Sequence, residues 1–291
     1  MRDHLSNLHA AYEDAKQQCK GGWTTTSATE ALRHFAVLSL EFLTQECQQI
    51  DLVSRVVGKT FMGFRRRDIE TGISRAVNRA LFITEPKYVA DFWDSWVVGN
   101  GNPSDLIRMS YTVALAPCLA LELFDRQNRK GPATYFECLI GHIFAKALNT
   151  NPEKKIALNV ADRQIKMTMD FLFHLPNGVR IHLPVKMSTR ERVVQAWAHQ
   201  RILDGAYGSG AYKGLMVLFC ETKLDSRSLE VVEVCVPDQW LVYQLLLSKM
   251  ERIYYFDVPE RYKALTAKFP ETIQIKEFGE FLIEKDSILG G

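Results

Sequence analysis

The stretch IKMTMDFLFHLPNGVRIHLPVK, residues 165–186, decides the fold. Its first part alternates. Ile165, Met167, Met169, Phe171 and Phe173 fall on one face, and Thr168, Asp170 and Leu172 on the other. That period of two is the mark of a half-buried strand. Residues 179–186 alternate as well, with Val179, Ile181, Leu183 and Val185 against Arg180, His182, Pro184 and Lys186. Between the two runs lies His174-Leu175-Pro176-Asn177-Gly178, a turn signal that ends in Asn-Gly. The spacing predicts an antiparallel hairpin whose two apolar faces pack on one core. Asp170 and Lys186 then project together from the opposite face. Parity sets Asp170 across from Pro184 or a near neighbour, with Lys186 on the diagonal. A diagonal of about 7 Å between backbones is within a lysine's reach.

The flanks extend this hairpin into a sheet. Pro132 opens a helix over 133–148, with Phe136, Leu139, Ile140, Ile143, Phe144 and Leu148 on one broad face. A strand is expected over 155–160, a helix over 188–203, strands over 214–220 and 229–236, and a helix from Pro237 to about 250. Helix, three strands, helix, strand, strand is the order of an α/β fold, a mixed central sheet flanked by helices. Residues 1–130 read mainly as helix. Apolar spacing predicts one helix over 28–57, capped by Thr26 or Ser27, and another over 68–82 after the basic turn Arg65-Arg66-Arg67. Pro86 and the segment 99–103 break the pattern. The expected division is a helical region 1–130, serving DNA contacts or dimerisation, and a core with a C-terminal extension, 131–291.

The chain has 291 residues, 36 Lys plus Arg against 34 Asp plus Glu, and 47% hydrophobic residues. Those are globular proportions, which exclude wholesale disorder, collagen and coiled coil. A formal charge of +2 excludes a generally basic binder. It leaves room for a locally basic cleft. The longest uncharged apolar stretch, 109–121, falls short of a bilayer span, and 1–16 lacks the apolar region of a signal peptide. The six cysteines are scattered without a CxxC or Cys/His cluster, so reduced thiols in the cytoplasm are expected rather than zinc.

A carboxylate and a lysine on one hairpin face have two readings. The first is a cross-strand ion pair, worth about 1 kcal/mol or less when exposed. The second is a hydrolytic site: the carboxylate holds Mg²⁺, which suits oxygen ligands, and the ammonium stabilises developing negative charge.

Four pieces in order favour the second. They are a helix bearing Glu137, a strand bearing Asp170, a strand ending Val185-Lys186, and a segment reading Ser188-Thr189-Arg190-Glu191-Arg192. Together, over about 131–236, they resemble the PD-(D/E)XK nuclease core. In detail they are similar to type II restriction endonucleases of the group that reads CCGG, CCNGG or CCWGG sites. The resemblance implies Asp170 as the metal-binding aspartate, Lys186 as the catalytic lysine and Glu137 as the acidic residue of the preceding helix. It also implies Arg190, Glu191 and Arg192 as the DNA-reading motif, a Mg²⁺ cofactor, 5′-phosphate products, and a homodimer on a palindromic duplex. The sequence departs from the pattern twice. Pro184 stands where the motif has an acid. Thirteen residues after Lys186, where the group has a glutamate, stands His199, a poorer Mg²⁺ ligand than carboxylate.

Other readings stay open at this stage. Ser188 and Glu191 also make a capping box. Arginine bonds guanine bidentately and a carboxylate accepts from cytosine, so Arg-Glu-Arg also suits adjacent G·C pairs. Two arginines in a first helical turn oppose the dipole, which a role at DNA would explain. Arg65 to Arg67, with Arg75 and Arg79, form either a solvated face or a phosphate grip. His142, Cys138, Trp197, Trp93 and Trp96 are expected in packing. The rival functions are a structure-specific repair nuclease of the same fold and a catalytically silent DNA-binding protein, which His199 favours.

Overall fold

The computed structural model describes residues 2–70, 72–98, 102–125, 127–128, 130–188 and 193–289. Two helices begin the chain, α1 (Arg2–Gly21) and α2 (Thr26–Gln45). Thr25 caps α2, its hydroxyl accepting from Ala28 N–H at 3.2 Å. The cap therefore lies one residue before the expected Thr26. Three strands follow, β1 (Cys47–Ser54), β2 (Phe61–Arg66) and β3 (Val77–Asn78). Then come α3 (Pro86–Val98), α4 (Pro103–Phe124) and α5 (Gly131–Leu148). The hairpin region holds β4 (Glu153–Val160), β5 (Arg163–His174), β6 (Arg180–Leu183) and β7 (Val185–Lys186), followed by α6 (Val193–Tyr207). After β8 (Lys213–Leu218) come β9 (Thr222–Asp225) and β10 (Glu230–Glu233). The chain continues through α7 (Pro237–Val242), a π-helical turn (Tyr243–Leu247) and β11 (Arg252–Tyr255). It finishes with α8 (Glu260–Lys268), β12 (Ile275–Glu277) and α9 (Phe278–Leu289).

The strands make two sheets. The larger runs β12-β11-β8-β6-β5-β4, with β7 joined to β8. Strands β6, β8, β11 and β12 are parallel neighbours, and β4 and β5 add antiparallel edges. The expected mixed sheet with flanking helices is therefore present. Phe171, Phe173, Ile181, Leu183, Leu215 and Val217 share one core with α1, α2, α4, α5 and α9. Trp197, Met216, Leu218, Trp240, Ile253 and Tyr255 share another, with α6, α7 and α8. By length and composition α4 is apolar enough to cross a membrane, yet 83% of that window is buried inside the protein. All six cysteines are free and buried.

The smaller sheet, β3-β2-β1-β10-β9, corrects the reading of residues 28–82 as two helices. Helix α2 stops at Gln45, and Cys47–Ser54 is a strand. It pairs in parallel with β10 through Val53↔Glu230 and Ser54↔Val231. No helix forms in the described part of 68–82; the Ser74 hydroxyl instead accepts from Phe64 N–H at 3.0 Å. Among the described residues, the region 1–130 is thus four helices, with three strands between the second and third.

A buried charge cluster fastens the small sheet to the large one. The Lys59 ammonium donates to Glu233 at 2.8 Å, to Asp257 at 2.7 Å and to the Val258 carbonyl at 2.8 Å. Asn78 donates to the same Asp257 at 3.1 Å. Burial opposes the lysine charge, but the two carboxylates outweigh it and hold its pKa up at about 12. Glu277 faces this cluster. Its burial first, and then the Asp257 charge, push its carboxyl from 4.5 up to about 7. A raised pKa means that the folded state holds the proton more tightly. Its stabilising contribution is whole below pH 4.5 and is lost as pH rises through about 7. Glu277 keeps 16% of its side chain exposed and Lys263 lies 3.7 Å away, so the loss is well below the full shift. Urea unfolding at pH 5 and pH 8 should show Glu277→Gln removing about 1–2 kcal/mol of the wild-type loss. Parallel pH curves for the two proteins would contradict this.

Candidate functional site

The predicted hairpin forms, and its register sets the site. Phe171 pairs with Leu183 and Leu172 with His182, which carries Asp170 to a position across from Pro184. Proline has no N–H for the ladder, so the second strand is split there into β6 and β7. The ladder to β4 also shifts register between Glu153↔Leu172 and Lys155↔Thr168. Such a bulge re-aims side chains. Met169 and Leu172 accordingly pack together, while Phe171 and Phe173 lie in the other core. This corrects the unbroken alternation read from 165 to 173, in which Ile165 is also half-exposed.

Asp170 stands at that break and repairs it. Its Oδ2 accepts from Val185 N–H at 2.9 Å and from the Lys186 ammonium at 2.6 Å. The side chains keep 28% and 21% of their surface exposed, so the pair opens to solvent. Among the described residues Oδ1 carries no hydrogen bond. On the other side of the sheet, Gly141 of α5 admits the hairpin closely. A methyl at 141 would stand 2.6 Å from the Phe171 ring and 2.5 Å from Trp23.

His199, on α6, lies in the field of both Asp170 and Lys186, and burial lowers its pKa. Its ring is 6.3 Å from that of His182, which sequence reasoning placed on the polar side of its strand but gave no role. His182 is fully buried and bonds through Nδ1 to Gln200 Oε1 at 3.0 Å. The Gln200 amide donates to Asp204 and to the Tyr212 carbonyl, so its oxygen must accept and His182 Nδ1 must carry the proton. Nε2 of His182 is buried without a partner among the described residues.

Glu137 forms an ion pair with Lys154, whose ammonium also stands 4.6 Å from the Phe171 ring centre and 5.4 Å from that of Trp23. Among the described residues no three His, Cys, Asp or Glu side chains gather as a metal-binding group. The structure thus joins Asp170 with Lys186, sets His199 beside them, and leaves Glu137 with Lys154. Arg190, Glu191 and Arg192 lie outside the described residues, and α6 is described from Val193. Trp197, Trp93, His142 and Cys138 are buried, as expected; the Trp96 side chain lies outside the description.

One hard carboxylate with a free oxygen fits Mg²⁺, which ordinarily keeps several waters and takes its remaining ligands from substrate phosphate. An imidazole would add little to that donor set.

No family model matches the sequence, and no curated protein matches it. Among solved structures, the crystal structure of the Type IIP restriction endonuclease Kpn2I is similar, with a TM-score of 0.80 and 22% identity over 97% of each chain. The fold is restriction-endonuclease-like. A restriction endonuclease PspGI–substrate DNA complex gives a TM-score of 0.45 at 12% identity, over 70% of this chain and 92% of that one. The restriction-endonuclease-like fold class that the resemblance implied is the one the chain adopts, and the likeness to Kpn2I extends through the N-terminal part.

The hydrogen-bond pattern sets an expectation for the two imidazoles. His182 should stay neutral down to about pH 4, in the Nδ1–H form. His199 should titrate below the ordinary histidine range, because burial disfavours its charge. Ring ¹⁵N chemical shifts followed against pH would check both, and a His182 that titrates near 6.5 would contradict the network.

Proposed function

We propose that this chain is a Mg²⁺-dependent type II restriction endonuclease. It would act as a cytoplasmic homodimer and cut duplex DNA at a short palindrome containing adjacent G·C pairs. The observation that carries this reading is the Asp170–Lys186 pair. A strand broken by proline and a bulge on its neighbour present one carboxylate and one ammonium at a solvent-open edge. A plain structural ion pair needs neither break. The Kpn2I-like fold over nearly the whole chain supports the same reading.

Each residue has a task in it. Asp170 Oδ1 would hold the metal, while Oδ2 keeps the ammonium in place. Mg²⁺, when bound, would polarise the phosphodiester and acidify the attacking water. Lys186 would stabilise charge building on the phosphate oxygens. His199, neutral at pH 7, would hold a water through a ring nitrogen where the related group has a carboxylate. Glu137 would join the site by exchanging Lys154 for the metal. Arg190, Glu191 and Arg192 would read G·C pairs, residues 1–130 would add DNA contacts or the dimer interface, and 131–291 would carry the chemistry. Two subunits related by a two-fold axis would cut both strands, leaving 5′-phosphates.

Cleavage of a long duplex in Mg²⁺ tests the reading. Discrete fragments are expected, and their ends give the site. Asp170→Ala and Lys186→Ala should each lose cleavage and keep sequence-specific binding. Wild-type rates in either variant would remove the catalytic assignment. A smear of products or cutting only at branches would instead favour a repair nuclease, and intact DNA a silent binder.

Specificity has its own test, made in Ca²⁺ at fixed salt. Arg190→Ala and Arg192→Ala should each cost about 1–3 kcal/mol on the cognate site and much less on random duplex. Glu191→Gln can still serve a helix cap, so a loss confined to cognate DNA marks cytosine readout. Equal losses on both duplexes for the arginine variants would falsify base reading.

A further inference from the structure

A cleft of about 460 Å³ opens where the catalytic strand ends. Met187 and Ser188, the two residues after Lys186, form one wall. The opposite wall comes from the small sheet, through Thr222, Lys223, Leu224 and Ser226 of β9 and its turn. Neither the hairpin nor the Arg-Glu-Arg motif assigns this wall a task.

Its charge is uneven. Arg75 and Glu122 also line the cleft, but they neutralise one another: Arg75 Nε bonds Glu122 at 2.7 Å and the Arg75 N–H bonds the same carboxylate at 3.1 Å. Lys223 is exposed, its backbone is held in the ladder to β10, and its ammonium has no hydrogen bond or ion pair among the described residues. Its neighbour Asp225 is occupied by the backbone N–H groups of Arg227 and Ser228, at 2.8 and 3.3 Å. Lys223 adds to the lowering of the Asp225 carboxyl through its charge but makes no ion pair with it. Among the described lining residues Lys223 is thus the cation free to meet an anion, and Ser188 and Ser226 line the same cleft.

The wall is also held in place. Leu218 at the end of β8 pairs with Lys186 itself, so β9 starts four residues beyond the partner of the catalytic lysine. Between them the buried Glu221 accepts from the Tyr255 hydroxyl at 2.8 Å, and its carbonyl accepts from Val234 N–H at 3.0 Å. Lys59 fastens the returning strand β10 through Glu233. Both ties act at the Thr222 end of β9, where Glu233 pairs with Thr222, and so fix the backbone beside Lys223 relative to the strand of Lys186.

We propose that this cleft seats the DNA sugar-phosphate backbone beside the cut, with Lys223 as a phosphate contact and the Ser188 and Ser226 hydroxyls as neutral donors. The assignment rests on the nuclease reading above. Lysine, serine and threonine are the ordinary donors to phosphate, and such contacts position a duplex without reading its sequence.

The experiment measures binding of a long duplex by wild type, Lys223→Ala, Lys223→Arg and Lys249→Ala, in Ca²⁺ over a series of salt concentrations. Lys249 lines a separate cavity and serves as the control. Lys223→Ala should weaken binding about threefold or more on cognate and random duplexes alike, and lower the salt slope by about 0.9. Lys223→Arg should keep the wild-type slope, because the charge remains. Lys223 is exposed, so a folded variant is expected, and its thermal unfolding checks that. An unchanged slope in Lys223→Ala overturns the phosphate contact, as does a loss confined to cognate DNA. Either result leaves the nuclease reading intact when Asp170→Ala still abolishes cleavage. Failure of wild type to bind any duplex removes both.

Discussion

The carboxylate of Asp170 closes a gap in the backbone ladder, and much of the structure follows from that gap. Pro184 cannot donate, and the register of β5 against β4 slips by a bulge at the same level. The Val185 N–H would otherwise lack a partner inside a strand pair, which costs a buried donor about 1–3 kcal/mol. Asp170 supplies the acceptor and takes the Lys186 ammonium with the same oxygen. The charged pair is therefore a condition of the strand's path as well as a feature of the site. A carboxylate committed on one oxygen and open on the other is held in direction before any ligand arrives.

The second constraint is the fastening of the small sheet. Its strands come from two parts of the chain nearly 180 residues apart, joined by the short parallel ladder of β1 and β10, the Arg55–Glu230 ion pair and the packing of Leu52 and Phe61 on Val231. The Lys59 cluster adds a further tie, from the loop after β1 to β10, to the chain after β11 and, through Asn78, to β3. Charges taken out of water repay their cost only when the geometry and the remaining hydrogen bonds are complete. Lys59 donates three such bonds, so the cluster specifies one docking of the sheet rather than a slippery apolar contact.

Legibility in the sequence tracked how local the deciding interaction was. The hairpin was readable because its period, its Asn-Gly turn and the parity of Asp170 and Lys186 all lie within 165–186. Helix α5 was readable from Pro132 and its apolar face. Strand β1 was not. CysGlnGlnIleAspLeuValSer continues the helical spacing of α2 closely enough to pass as its end, and its strand partners are β2 and the distant β10. The bulge at Asp170 was equally hidden, since it depends on β4 meeting β5 out of step. His182 illustrates the limit within the site. Its parity was read correctly, but its burial beneath α6 follows from Gln200, eighteen residues on.

The two histidines bear on the charge around Asp170 and Lys186. A glutamate at 199 would bring a second negative charge toward Asp170 and compete for the Lys186 ammonium. An imidazole whose charge is disfavoured by burial does neither at neutral pH. His182 beneath it is held neutral by the same physics, with its proton fixed on Nδ1 by Gln200. The two imidazoles therefore add no positive charge beside the site at neutral pH, and Lys186 has Asp170 as its one ion-pair partner among the described residues. That asymmetry concentrates the ammonium's field on whatever anion approaches from the open edge. The cleft between Ser188 and Lys223 begins one residue past Lys186, at Met187.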